Sequence, residues 1–162
     1  MRATATIDLE AVVMALVERQ ATQAIAEVEE LELQWTRAIR ISSDGQDPRP
    51  AIEYLERHLH RAYRGLKLPE IAMKGGRVLR QRRTEIGDYV KWLQHIVAID
   101  DPEITSQFLF PGCVVVYGED IITVDAGEQF ECIWKDTWVK VGCQWKCLES
   151  IEEAIYSVPI KS

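Results

Sequence analysis

Histidine occurs only three times and cysteine only four times in the 162 residues of this chain. The cysteines, Cys113, Cys132, Cys143 and Cys147, contain no C-x-x-C pair. The one C-x3-C, Cys143 with Cys147, straddles a turn and the strand after it, far from any histidine, so no metal site is expected. The cysteines are expected to act as small, reduced hydrophobes in a cytoplasmic protein. Apolar runs of the ~20 residues that cross a bilayer are missing, so no membrane partner is expected. Asp8 and Glu10 interrupt the first apolar stretch, so it does not read as a signal peptide. Positive charge is in the minority, 19 Lys and Arg against 26 Asp and Glu. A duplex-binding protein is usually basic, and a nucleic-acid partner is therefore not expected.

Glycine and proline are absent from residues 9 to 40. Within that stretch apolar residues recur at steps of three and four, among them Leu9, Val12, Val13, Leu16, Val17, Val28, Trp35 and Ile39, which predicts a helix capped by Asp8. A straight helix of that length would run about 48 Å, whereas a compact domain of this size measures roughly 40 Å. Either the helix breaks near Gln20–Thr22 or its first half projects. A projecting half must cover its stripe with a second subunit or by folding back on its own domain. "SSDGQDPRP" then reads as a loop, with Asp47 capping and Pro48 opening a second helix that runs to about His60. Gly65, Pro69, Gly75 and Gly76 break residues 62 to 83 into short strands with a hairpin turn at the two glycines. Thr84 is expected to cap a short third helix.

From residue 104 the apolar period changes from helical to two. Strands are expected at 104–110, 113–124, 128–141 and 144–150, with Gly118 a bulge and turns at 125–127 and Gly142–Cys143. Helices first and antiparallel strands after make an α+β domain. No internal repeat is visible. Three of the five tryptophans fall in "FECIWKDTWVKVGCQWKCLES", residues 130 to 150.

A long helix carrying "LQWTRAI", a proline-started second helix, a glycine-containing break, a third helix and long strands ending in "DTWVKVGCQWK" together resemble the nuclear transport factor 2-like superfamily. Within it they resemble the polyketide-cyclase/ketosteroid-isomerase-like branch. The likeness spans about residues 27 to 151 and leaves residues 1 to 26 as a helical extension before a domain of residues 27 to 162. It implies a cystatin-like α+β cone, with helices packed in the concave face of a curved antiparallel sheet around an apolar pocket. It also implies a homodimer formed through the sheet's outer face. Such proteins include isomerases, cyclases, dehydratases and non-catalytic members, so fold does not decide function. The tyrosine and two carboxylates of the isomerase branch have no match here. The first helix offers Trp35 and no tyrosine, and the second helix ends "HLHRAY" without a carboxylate.

Phe130, Cys132, Trp134, Asp136 and Trp138 share one parity of the long strand and are spaced ~7 Å apart at alternate positions. The other parity is more polar, which marks the first set as the buried one. If that face lines a pocket, Asp136 sits in an aromatic wall suited to an acid, a base or a hydrogen-bond donor. If the tryptophans instead pack a core or dimer face, Asp136 pairs with a neighbouring lysine or arginine. Tyr117 and Tyr63 either present hydroxyls to a ligand or fill the core. The expected catalytic pair is Asp136 and Tyr117, with Trp134, Trp138, Phe130, Tyr63 and Trp35 lining a pocket for a small, largely apolar ligand, and neither metal nor organic cofactor. On a helix His58 and His60 point to different faces, so a joint metal site would need the helix to end there, and none is expected. The basic run "KGGRVLRQRR" either holds an anion or acidic partner or forms a solvated strand edge. The rival expectation is a non-catalytic, homodimeric interaction module.

Overall fold

The computed structural model describes residues 6–67, 78–125 and 127–158. The first element, α1, is a single unbroken helix from Leu9 to Gly45. The Asp8 carboxylate caps it by accepting from the Ala11 N–H at 3.1 Å, and Gln46 ends it in the left-handed conformation at φ 50°. Its 37 residues extend about 55 Å, longer than a domain of this size is wide. The length is accommodated by projection, because residues 6 to 20 are all exposed. Burial begins at Ala24 and continues through Val28, Glu32, Trp35, Thr36, Ile39 and Ser42.

Helix α2 spans Arg49–His58. The Asp47 carboxylate accepts from the Arg49 N–H at 3.1 Å, and buried Ser42 accepts from the Ala51 N–H at 2.9 Å, fastening α2 to α1. The helix stops two residues before the expected His60, and the chain passes directly into β1, Leu59–Lys67. β2, Val78–Gln81, pairs antiparallel with β1. The Gly75–Gly76 turn and residues 74–77 of the basic run lie outside the described residues. Helix α3, Arg82–Leu93, starts after Gln81 rather than at Thr84. Arg82 donates to the Glu56 carbonyl at 2.7 Å, a cation satisfying the C-terminal end of α2.

Five strands follow: β3 (Ile96–Ile99), β4 (Glu103–Phe110), β5 (Cys113–Val124), β6 (Gln129–Val141) and β7 (Gln144–Val158). The sheet order is β2-β1-β7-β6-β5-β3, and β4 also pairs with β5. Short β3 and β4 share one edge of long β5, β4 against residues 113–119 and β3 against 122–124. The sheet is curved and mixed. Among the described residues the one departure from antiparallel pairing is β1 against β7, which run parallel. Gly142, at φ 64°, turns β6 into β7, a geometry that costs glycine nothing.

Gly118 is not a bulge. The β5–β6 register runs through it without a shift, pairing Gly118 with Trp134. Glycine is needed there because a Cβ would stand 2.1 Å from the Trp134 ring. The core lies between the inner face of the sheet and the helices. It contains Val28, Trp35, Leu55, Tyr63, Val114, Val116 and Trp138. Burial of a large side chain of this kind contributes roughly 1.5–3 kcal/mol. Among the described residues no helix is long and apolar enough to cross a membrane.

Candidate functional site

Strand β6 buries Phe130, Cys132, Trp134, Asp136 and Trp138, successive residues of one parity up to the exposed Lys140. Cross-strand pairing then fixes the inner floor. Asp136 lies between Val116 of β5 and Ser150 of β7, and Trp134 between Gly118 and Glu152. Over this floor pass α1 and α3, bringing Glu32, Trp35, Thr36 and Ile39 from one and Tyr89 and Trp92 from the other. A narrow cavity remains between helices and sheet, walled by Glu32, Trp35, Tyr89, Trp134, Asp120 and Asp136 among others. Its water-accessible volume is about 50 Å³, space for roughly two water molecules. Trp92, Asp120 and Glu152 are half-buried, so the cavity meets solvent on their side.

The wall has a consistent hydrogen-bond logic. Trp138, fully buried, donates its indole N–H to Glu32 Oε1 at 2.6 Å. Trp134 donates to Asp120 Oδ2 at 3.1 Å, and Trp35 donates to the Tyr89 hydroxyl at 3.0 Å. Outside the cavity Trp145 donates to Glu27 Oε2 at 2.7 Å. This bond, ahead of one from Gln23 and the nearby Lys140, holds the Glu27 carboxyl below the usual range. A buried indole must place its N–H, and here the carboxyl oxygen of an acidic side chain receives it three times. Trp35 also meets Trp138 edge to face at 6.4 Å between centroids. Beneath them Tyr54 donates to the Leu31 carbonyl at 2.5 Å. Burial first, then Glu32, Cys147, Asp136 and Tyr89, keeps the Tyr54 hydroxyl well above the usual tyrosine range.

Of the residues singled out by sequence, Trp35, Trp134 and Asp136 line this cavity. Trp138 supports it from below through Glu32. Phe130 is buried opposite Ile122, outside the wall. Tyr63 is buried too, its ring lying over Gly65. Tyr117 is placed elsewhere: it is 45% exposed on the outer face, with the Lys135 ammonium 5.9 Å from its ring centroid. The expected partnership of Asp136 with Tyr117 is therefore not assembled. Without a bulge at Gly118 the β5 alternation holds, and Tyr117 points away from the floor.

Glu32, Tyr89, Asp120 and Glu152 join the wall without having been anticipated. Glu32 and Asp120 left a readable trace. Glu32 occupies the apolar stripe of α1, four residues after Val28 and three before Trp35. Asp120 occupies the inward parity of β5 between Gly118 and Ile122. Tyr89 and Glu152 depend on how α3 and the end of β7 pack. Among the described residues no group of three or more histidine, cysteine and carboxylate side chains is arranged to hold a metal. His58 stacks on Tyr54 at 4.3 Å, away from the cavity wall. Burial, then Lys146 and Arg57, pushes it down to about 4.

No protein-family model matches the chain, nor does any curated protein sequence. Solved structures do resemble it. An NTF2-like protein of unknown function from Pseudomonas putida superposes with a TM-score of 0.63 at 11% identity, covering 84% of this chain and 89% of the other. An NTF2-like protein from Cytophaga hutchinsonii gives 0.56 at 17% identity, covering 80% and 97%. A hexachlorocyclohexane dehydrochlorinase, LinA type 2, gives 0.59 at 9% identity, covering 86% and 90%. At these identities the likeness establishes the NTF2-like, cystatin-like α+β fold, which hosts enzymes and proteins of unknown function alike.

Proposed function

We propose that this NTF2-like chain binds a small molecule in the cavity between α1, α3 and the inner face of the sheet. Asp136 and Glu32 are the groups we assign to hold or move a proton on that molecule. The observation that carries this reading is that two buried acids, Asp136 and Glu32, 6% and 3% exposed, line one cavity with an aromatic wall around residual space. Acid–base chemistry of the isomerase, cyclase or dehydratase type needs such a placement, because a carboxyl out of water is a better-tuned proton carrier than one in it. Four of the wall residues, Glu32, Asp120, Asp136 and Glu152, are acids, and none of the described wall residues is a lysine or arginine. The wall thus favours a ligand bearing hydrogen-bond donors over the largely apolar one expected from sequence. Drug-sized ligands occupy roughly 300 Å³ or more, so a ligand of that size would have to displace Trp92 and Tyr89 on α3.

The test is a ligand-observed NMR screen with small amines, amides and alcohols. Binding that Asp136→Asn and Glu32→Gln each weaken at least about tenfold, with circular dichroism unchanged, supports the reading. Absence of any binder at millimolar concentration, or binding that both variants leave intact, overturns it. A second reading is favoured by a different observation. The stripe of Leu9, Val12, Val13, Leu16 and Val17 stands 44–71% exposed on the projecting half of α1. On that reading the chain is a homodimeric interaction module.

A further inference from the structure

We infer that two copies of this chain pair through the projecting halves of their α1 helices, antiparallel and about a two-fold axis between positions 14 and 15. This rests on the homodimeric reading and is independent of the cavity.

The stripe itself argues for a partner. Residues 6 to 20 are exposed, yet Leu9, Val13, Leu16 and Gln20 fall within about 60° of one another around the helix, flanked by Val12 and Val17. It continues the line of Ala24 and Val28, which the domain does bury. An apolar stripe about 12 Å long, from Leu9 to Val17, is a helix-packing surface left without a helix. The pattern is self-complementary, as an isologous contact requires. Reversed about the midpoint, Val13 falls on the partner's Leu16, Leu16 on the partner's Val13, and Leu9 beside the partner's Gln20.

The flanking charges select the same arrangement. Asp8 and Arg19 lie within about 20° of each other around the helix, on one side of the stripe. A two-fold axis across the pair keeps that side together, so each Arg19 lies about two residues, ~3 Å along the axis, from the level of the partner's Asp8, within the reach of its long side chain, and the contact occurs twice in the dimer. Parallel pairing would instead put the two charged sides on opposite edges of the pair, with each Arg19 about 16 Å along the axis from the level of the partner's Asp8, so the two would not meet. An anionic membrane surface fits poorly, because Asp8, Glu10 and Glu18 outnumber Arg19 on this segment. The contact is short. A helix pair of this length buries less than the ~1,600 Å² of a standard interface, so the dimer is expected to be concentration-dependent.

Sedimentation equilibrium of the full chain from 1 to 300 µM tests the pairing, with Leu16→Glu and Val13→Glu as variants. Both positions are exposed in the single chain, so the variants should fold, which circular dichroism verifies. The dissociation constant should rise at least about thirtyfold in either, the effect of losing a central hot spot. Cross-linking then reads direction. In a Cys143→Ser background, which removes the exposed thiol, Val13→Cys chains mixed with Leu16→Cys chains should oxidise to a covalent heterodimer, and neither alone should cross-link. A wild-type chain that stays monomeric at 300 µM overturns both the homodimeric reading and this inference. A dimer that persists in Leu16→Glu, or Val13→Cys chains that link to themselves, overturns the inference and leaves the homodimer in place.

Discussion

Replacing Gly118 by alanine tests the packing that shapes the cavity. The new methyl carbon would lie 2.1 Å from Cζ2, 2.3 Å from Cε2 and 2.5 Å from Cη2 of Trp134. Carbon atoms rest at about 3.5–4.0 Å, so the indole must retreat by more than about 1 Å. Gly118 and Trp134 are direct cross-strand partners in an unshifted register, and the backbone cannot separate without breaking the ladder. The ring therefore moves toward the cavity, and its 3.1 Å bond to Asp120 is strained or lost. Overpacking of this kind costs about 1–3 kcal/mol, and loss of a bond to a charged group about as much again. A total of about 3 kcal/mol is expected, a fall in Tm of about 6–12 °C for a chain of this length. Urea unfolding followed by far-UV circular dichroism measures it. The cause is isolated by repeating Gly118→Ala in a Trp134→Phe background, where the clashing benzo ring is gone and most of the cost should vanish. A loss below about 0.5 kcal/mol, or an equal loss with and without the indole, would refute the argument that Gly118 exists to admit Trp134.

Two further outcomes follow from side chains near the site. His58 is held neutral down to about 4, while the unfolded chain protonates near 6.5, so its contribution is intact above pH 6.5 and is lost as pH falls toward 4. The full shift corresponds to about 3 kcal/mol, reduced to about 1–2 kcal/mol because the ring is only half-buried and screened by solvent. His58→Gln should flatten the dependence of the urea midpoint on pH across that window, and an unchanged slope would remove His58 from the acid response. Trp138→Phe deletes the 2.6 Å donor to Glu32 and should cost about 2–4 kcal/mol. In a double-mutant cycle with Glu32→Leu the coupling should exceed about 1 kcal/mol, and additive losses would show that the bond contributes nothing.

How much of this was legible in the sequence varies with the range of the interactions involved. The burial of Phe130, Trp134, Asp136 and Trp138 follows from strand period alone, since neighbouring side chains must alternate. That α1 must either break or project follows from arithmetic, a glycine-free and proline-free run longer than the domain it serves; the sequence leaves open which of the two occurs, and the unbroken helix decides it. Strand β3 was not anticipated, because four residues of "IVAI" after a helix carry too short a period to separate strand from helix end. The parallel β1–β7 pairing was not readable either: it joins segments 80 residues or more apart in sequence, and nothing local encodes which edge β1 will meet. Gly118 misled for a definite reason. A glycine inside a strand signals either a bulge or a close approach, and only the register with β6 tells which.

The carboxylates of the wall show what a finer reading of such a sequence would use. Glu32 interrupts the apolar stripe of a helix, and Asp120 interrupts the inward parity of a strand. Each is costly to bury without a donor, so a matching donor must come from another element. The chain supplies indoles on the facing positions: Trp138 for Glu32, Trp134 for Asp120, and Trp145 for Glu27. An acid out of place on an apolar face and a tryptophan on the opposing face are thus two halves of one signal. Reading them as a pair points to Glu32 facing Trp138, the bond the structure shows.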